Sequence, residues 1–116
     1  MPTYQGSCQC GAVSWQAEAD LSQPIACNCS RCQRLGAMLV FTPRSSFRLL
    51  TGEDQLSEYL FNRRVVHHYF CRTCGIESFA YGAMPDGTEI AALNVNCIEG
   101  IDPRTLSPTY YDGRSV

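Results

Sequence analysis

Eight cysteines in 116 residues, grouped along the chain as two, three, two and one, constrain this fold more than any other feature. Cys8-x-Cys10 and Cys27-x-Cys29 are spaced two apart. In an extended chain such side chains point to the same face, so each pair can bite one metal ion. Cys71-x-x-Cys74-Gly75 has zinc-knuckle spacing. The turn brings two sulfurs together, and glycine lets the backbone curl beneath them. Cys29-x-x-Cys32 carries the second pair across the start of a helical turn, where helix N–H groups favour thiolate.

Ligand arithmetic sharpens this reading. Cys8, Cys10, Cys71 and Cys74 supply the four ligands of a closed structural zinc from two rigid turns. Cys27, Cys29 and Cys32 supply only three, and three protein ligands with one open position is how catalytic zinc is held. Alternatively, Cys97, in Asn94-Val95-Asn96-Cys97-Ile98, closes the second site as a fourth ligand, or it is a buried free thiol. Spacing does not choose between an open and a closed second site. Met1 to Gly6 has neither a charged leader nor an apolar run, so the expectation is a reducing cytoplasm and no membrane span. Cysteines there serve as metal ligands more readily than as disulfides.

The rest of the chain reads as short strands. Gly11 to Ala17 alternates with Val13 and Trp15 on one face, and Ile25 to Cys29 follows. Ser30 is expected to cap a helical turn over Arg31 to Leu35, ended by Gly36. Met38 to Phe41 reads as a buried strand closed by Pro43. Phe47–Thr51 and Leu56–Phe61 flank a turn at Gly52-Glu53-Asp54. Val65–Phe70, Ile76–Tyr81 and Glu89–Val95 complete the clear strands, and the tail from Pro103 to Gly113 is a loop with room for one edge strand. The fold class predicted is mainly β: one domain over residues 1–116, several short antiparallel sheets stapled by cysteine-bound zinc, in a sandwich or open barrel. The net charge is −2 and Arg63-Arg64 is the longest basic run, which argues against nucleic acid as the main partner. All nine basic residues are arginine, which excludes lysine Schiff-base chemistry.

At its cysteines the chain resembles the glutathione-dependent formaldehyde-activating enzyme family, which includes the centromere protein V type domain. The resemblance rests on Gly6-Ser7-Cys8-Gln9-Cys10-Gly11, Cys27-Asn28-Cys29-Ser30-Arg31-Cys32 and His67-His68-Tyr69-Phe70-Cys71-Arg72-Thr73-Cys74-Gly75. Weaker matches are Val95-Asn96-Cys97 and Tyr111-Asp112-Gly113. The resemblance implies a β fold with two zinc ions. It assigns the structural zinc to Cys8, Cys10, Cys71 and Cys74, and the second to Cys27, Cys29 and Cys32 with an exchangeable fourth ligand. It also implies a carbon–sulfur lyase that condenses glutathione with formaldehyde to S-hydroxymethylglutathione. Charge agrees with that chemistry. Zinc with three thiolates carries a net −1, a poor Lewis acid for a carbonyl but a good holder of an incoming thiolate.

Arg31 and Arg34 flank Cys32 and are candidates to hold a glutathione carboxylate; the competing reading is a solvated helix face. His67 and His68 lie on one strand with rings on opposite faces, suited to packing, to exposure, or to a proton shuttle. Tyr69, Phe70 and Trp15 read as core. Asp112-Gly113 reads as a turn without chemistry. Two other functions compete with the lyase: a non-catalytic zinc-stabilised binding module, with the second site closed by Cys97, and a thiol redox or metal-sensing protein. Glutathione or another small thiol and a small aldehyde are the partners expected; neither identity follows from the sequence.

Overall fold

The computed structural model describes residues 1–61 and 66–115. Its strands in chain order are β1 (Thr3–Ser7), β2 (Ser14–Glu18), β3 (Ile25–Cys27), β4 (Leu39–Pro43), β5 (Phe47–Thr51), β6 (Leu56–Tyr59), β7 (His67–Cys71), β8 (Phe79–Ala83), β9 (Glu89–Asn94) and β10 (Thr109–Tyr111). One α-helix, α1 (Ser30–Leu35), follows β3, and the remaining helical pieces among the described residues are single 3-10 turns. The mainly β expectation therefore holds. Val65, the expected start of the β7 strand, and Arg63-Arg64 lie outside the described residues.

The strands form two sheets. The smaller has the order β1-β2-β5 and is antiparallel throughout. The larger runs β10-β3-β4-β9-β8-β7-β6 and is antiparallel except at one end, where β10 pairs with β3 in parallel. That parallel pair departs from the all-antiparallel expectation. A parallel neighbour needs a long crossover, here the whole chain from residue 28 to 108, and no local pattern announces one.

Alternation places the core as the sequence suggests. Val13, Trp15 and Ala17 are all buried, on one face of β2 and its approach. Phe47 of β5 packs at a tilt against Trp15 at 5.6 Å and against Phe79 of β8 at 4.9 Å, so one ring joins the two sheets. Burying a side chain of this size contributes about 1.5–3 kcal/mol. Ala91 to Asn94 of β9 are all buried, as befits a central strand covered on both faces. Gly6 pairs with Trp15 across β1 and β2, and a Cβ at Gly6 would overlap the indole.

Two local expectations are corrected, and one expected turn proves to join different sheets. Met38 to Phe41 is not uniformly buried: β4 alternates, with Val40 and Thr42 inside and Phe41 exposed. The strands around Gly52 flank a 3-10 turn at Glu53–Gln55 but do not pair; β5 ends the small sheet while β6 ends the large one. The turn therefore carries the chain between sheets. The helix cap is Cys29, not Ser30: the Cys29 sulfur accepts the Cys32 N–H at 3.3 Å. A thiolate offers the first-turn N–H groups more charge than a hydroxyl does. Gly36 ends the helix as expected, its N–H returning to the Cys32 carbonyl.

Candidate metal centres

Two loops build the first cysteine cluster. Cys8 and Cys10 leave the end of β1, and the Cys8 N–H donates to the Val13 carbonyl at 3.0 Å. Cys71 ends β7, and its N–H donates to the Ile76 carbonyl at 3.0 Å. Gly11 (φ 83°) and Gly75 (φ 80°) take the left-handed conformation that reverses each loop, returning N–H groups to the Cys8 and Cys71 carbonyls. The two knuckles thus have the same plan. They bring all four sulfurs within 4.8 Å of one another. The Cys8–Cys10 and Cys10–Cys71 sulfur separations are both 3.7 Å. A zinc–thiolate tetrahedron with bonds of about 2.3 Å has edges of about 3.8 Å, so the donor set fits that ion.

Backbone N–H groups aim at these sulfurs. Val13 donates to Cys8 at 3.3 Å, and Thr73 and Cys74 donate to Cys71 at 3.4 and 3.5 Å. These donors, Cys74 N–H foremost, hold the Cys71 thiol below its usual range against desolvation. Desolvation also works against ionising Cys74, but the N–H groups of Cys10 and Ile76 and the neighbouring Cys71 and Cys8 thiols bring it down to about 6. Cys10 goes the other way. The Ala12 N–H favours its thiolate, yet desolvation and the adjacent sulfurs push it up to about 11. Four thiols this close cannot all ionise alone, and a divalent cation removes the conflict.

The second cluster hangs on α1. Cys27 ends β3, Cys29 caps the helix and Cys32 lies in its first turn; their sulfurs group within 4.8 Å. Cys29 N–H donates to the Cys27 sulfur at 3.4 Å. Desolvation opposes a Cys29 thiolate, but N–H donation from Cys32 and Arg31 and the nearby thiols lower its pKa. Desolvation and the Cys29 and Cys27 charges raise Cys32. These three sulfurs can also hold a cation, with three protein donors. Cys97 joins neither group. Burial first, then the charges of Cys8, Cys74 and Glu77, push its thiol up to about 11. All eight cysteines are free thiols.

The candidate arginines differ. The Arg31 Nε donates to Glu77 Oε1 at 3.1 Å, its Nη2 donates to the same oxygen, and the guanidinium lies 4.7 Å from the Tyr59 ring centre. Arg31 is therefore engaged within the protein. Among the described residues, Arg34 is bound only through Nη1 to the Ser30 carbonyl, at 2.9 Å. Both line an open cleft of about 500 Å3 with Leu35, Tyr59 and Phe61. The histidines part as their alternation requires: His67 is solvent-facing and meets Glu58, while buried His68 meets Glu77 Oε2 at 3.1 Å. Glu77, which escaped the sequence reading, is buried between Arg31 and His68. Its one sequence signal is an acid in the otherwise uncharged run Ile76 to Ala83.

Fold and clusters together define a β protein carrying two cysteine centres able to hold metal ions, one with four donors and one with three. The sequence profile of the glutathione-dependent formaldehyde-activating enzymes matches residues 3–112, and the chain belongs to that family. The crystal structure of a Rhodobacter sphaeroides protein is similar, with 33% identity and a TM-score of 0.82, over 92% of this chain and 99% of that one. No helix among the described residues is long and apolar enough to cross a membrane.

Proposed function

We propose that this chain is a zinc-dependent carbon–sulfur lyase of the glutathione–aldehyde type, working as one domain over residues 1–116 with two zinc ions. The observation that carries the reading is the second cluster: Cys27, Cys29 and Cys32 group together while Cys97 stays outside. A zinc ion with these three ligands has one position left for an exogenous thiol, which it would hold deprotonated near neutral pH. In the net reaction the glutathione thiolate adds to the aldehyde carbon. A carbon–sulfur bond forms, the carbonyl π bond breaks, and the oxygen takes a proton to give S-hydroxymethylglutathione. No electrons leave the pair of substrates, so no redox cofactor is required.

The protein's own residues supply the rest. Cys8, Cys10, Cys71 and Cys74 hold the structural ion and fix the two knuckles. Arg34, on the same helix as Cys32 and donating through Nη1 to the Ser30 carbonyl, offers its fork to a glutathione carboxylate. Arg31, held by Glu77, frames the same cleft. The free cysteines suit a reducing compartment, the cytoplasm. Formaldehyde or a related small aldehyde is the second substrate.

Two measurements test this reading. Calorimetry on the zinc-loaded chain should show glutathione binding and S-methylglutathione binding much more weakly, because the methylated sulfur cannot become a thiolate. Equal affinities would rule out sulfur as the anchoring atom. Exchange spectroscopy of glutathione with formaldehyde should show faster interconversion with the protein than without it. A rate equal to the spontaneous one would overturn the enzyme assignment.

A further inference from the structure

We infer that the C-terminal strap, residues 109–115, is one wall of the second cysteine centre, and that Gly113 is a positioning residue which leaves room for the Cys27 sulfur. The inference rests on the reading that Cys27, Cys29 and Cys32 hold a metal. Gly113 does not adopt the left-handed backbone that usually demands glycine. Its requirement is space. A Cβ there would sit 2.5 Å from the Cys27 sulfur, 3.4 Å from the Cys29 Cβ and 3.5 Å from Tyr111 Cε2. The sulfur cannot retreat freely, since it accepts the Cys29 N–H, and a coordinated thiolate is held by its metal as well.

The strap is locked onto the ligand loop. Tyr111 pairs with Cys27 in the parallel ladder, and the Asn28 N–H donates to the Tyr111 carbonyl at 3.2 Å. The Asn28 side chain is satisfied at both ends by the strap: Nδ2 donates to Asp112 Oδ1 at 3.0 Å, and Oδ1 accepts the Arg114 N–H at 3.0 Å. Arg114 Nη2 donates to Gln33 Oε1 at 2.6 Å, and Ser115 Oγ donates to Asp112 Oδ2 at 2.7 Å. Asn28 lies between two of the three candidate ligands, and Gln33 follows the third. A segment more than eighty residues away in sequence thus sets the loop that carries the donors, as outer-shell partners set the orientation of metal ligands. Between strap and helix a cleft of about 350 Å3 exposes Cys27.

The test is zinc release from the full chain. Zinc per chain is measured on the loaded protein, and its transfer to excess chromogenic chelator is followed in time. The parent should hold two ions. Gly113→Ala should release the second ion at least about tenfold faster, the effect expected of a lost outer-shell support. Its first ion should leave at the parental rate. Asp112→Ala, which unlocks Asn28 without adding an atom near the sulfur, should also speed release of the second ion alone. Parental release from Gly113→Ala, or equal acceleration at both sites, overturns the positioning role. If Gly113→Ala does not fold, parental release from Asp112→Ala overturns it instead. A parent chain holding one ion refutes the metal reading and this inference together, whereas two ions in the parent with unchanged release in both variants refute the strap alone.

Discussion

Removing the Glu77 carboxylate should destabilise the protein more than any other single change to a charged side chain among the described residues. The Glu77 side chain is 5% exposed, His68 is 9% and Arg31 is 23%, so Glu77→Ala leaves a guanidinium and an imidazole with little water to replace the acid. Breaking a buried ion pair from one side costs about 3–5 kcal/mol. Arg31 keeps its place over Tyr59 and some solvent, which offsets part of the loss, so we expect about 3 kcal/mol. Glu77→Gln retains an acceptor and should cost about 1.5 kcal/mol. In a domain of this size 1 kcal/mol moves the thermal midpoint by about 4 °C, giving shifts of about 12 and 6 °C. The assay is urea unfolding at fixed, saturating zinc, followed by the fluorescence of Trp15, the one tryptophan and fully buried. A double variant, Arg31→Met with Glu77→Leu, should recover much of the loss, because the cost lies in the orphaned charge. Glu77→Ala within about 0.5 kcal/mol of the parent would refute the argument.

Three further outcomes follow from the same geometry. Cys71→Ser should lose the first metal and the cooperative unfolding transition, since metal binding and folding are coupled; a folded, zinc-free variant would contradict this. Gly6→Ala should cost about 1–3 kcal/mol by forcing the Trp15 ring, whereas Gly82→Ala, whose Cβ would meet Val66 and Ile90 at 3.8 and 3.9 Å, should be neutral or stabilising; equal midpoints for the two variants would refute it. Burial raises Tyr69 and Tyr81 above the ordinary 10.0, with Glu58 adding to the shift at Tyr69 and Arg44 opposing it at Tyr81. Their contribution to stability is therefore complete below pH 10 and is lost as pH rises through their folded values. Ultraviolet titration should show ionisation above pH 10 that Tyr69→Phe and Tyr81→Phe each diminish, and an unchanged profile in both variants would count against this.

Much of the site was legible in the chain because its chemistry is local. Cys8-x-Cys10, Cys27-x-Cys29 and Cys71-x-x-Cys74-Gly75 announce their groupings through spacing, since two residues of extended chain or one tight turn suffice to bring sulfurs together. The strand positions of Trp15 and Phe47 and the helix stop at Gly36 also follow from short-range pattern. What only the tertiary structure decided lies in contacts between distant segments. The separation of β5 from β6 into different sheets, the parallel seat of β10 beside β3, and the burial of Glu77 between Arg31 and His68 depend on which strand edges meet. Asp112-Gly113, unremarkable as a turn in sequence, becomes part of the second centre because β10 carries it onto Cys27. Side-chain periodicity records which face of an element is apolar, but not which remote backbone will lie against it, and at Gly113 that approach is what forbids a side chain.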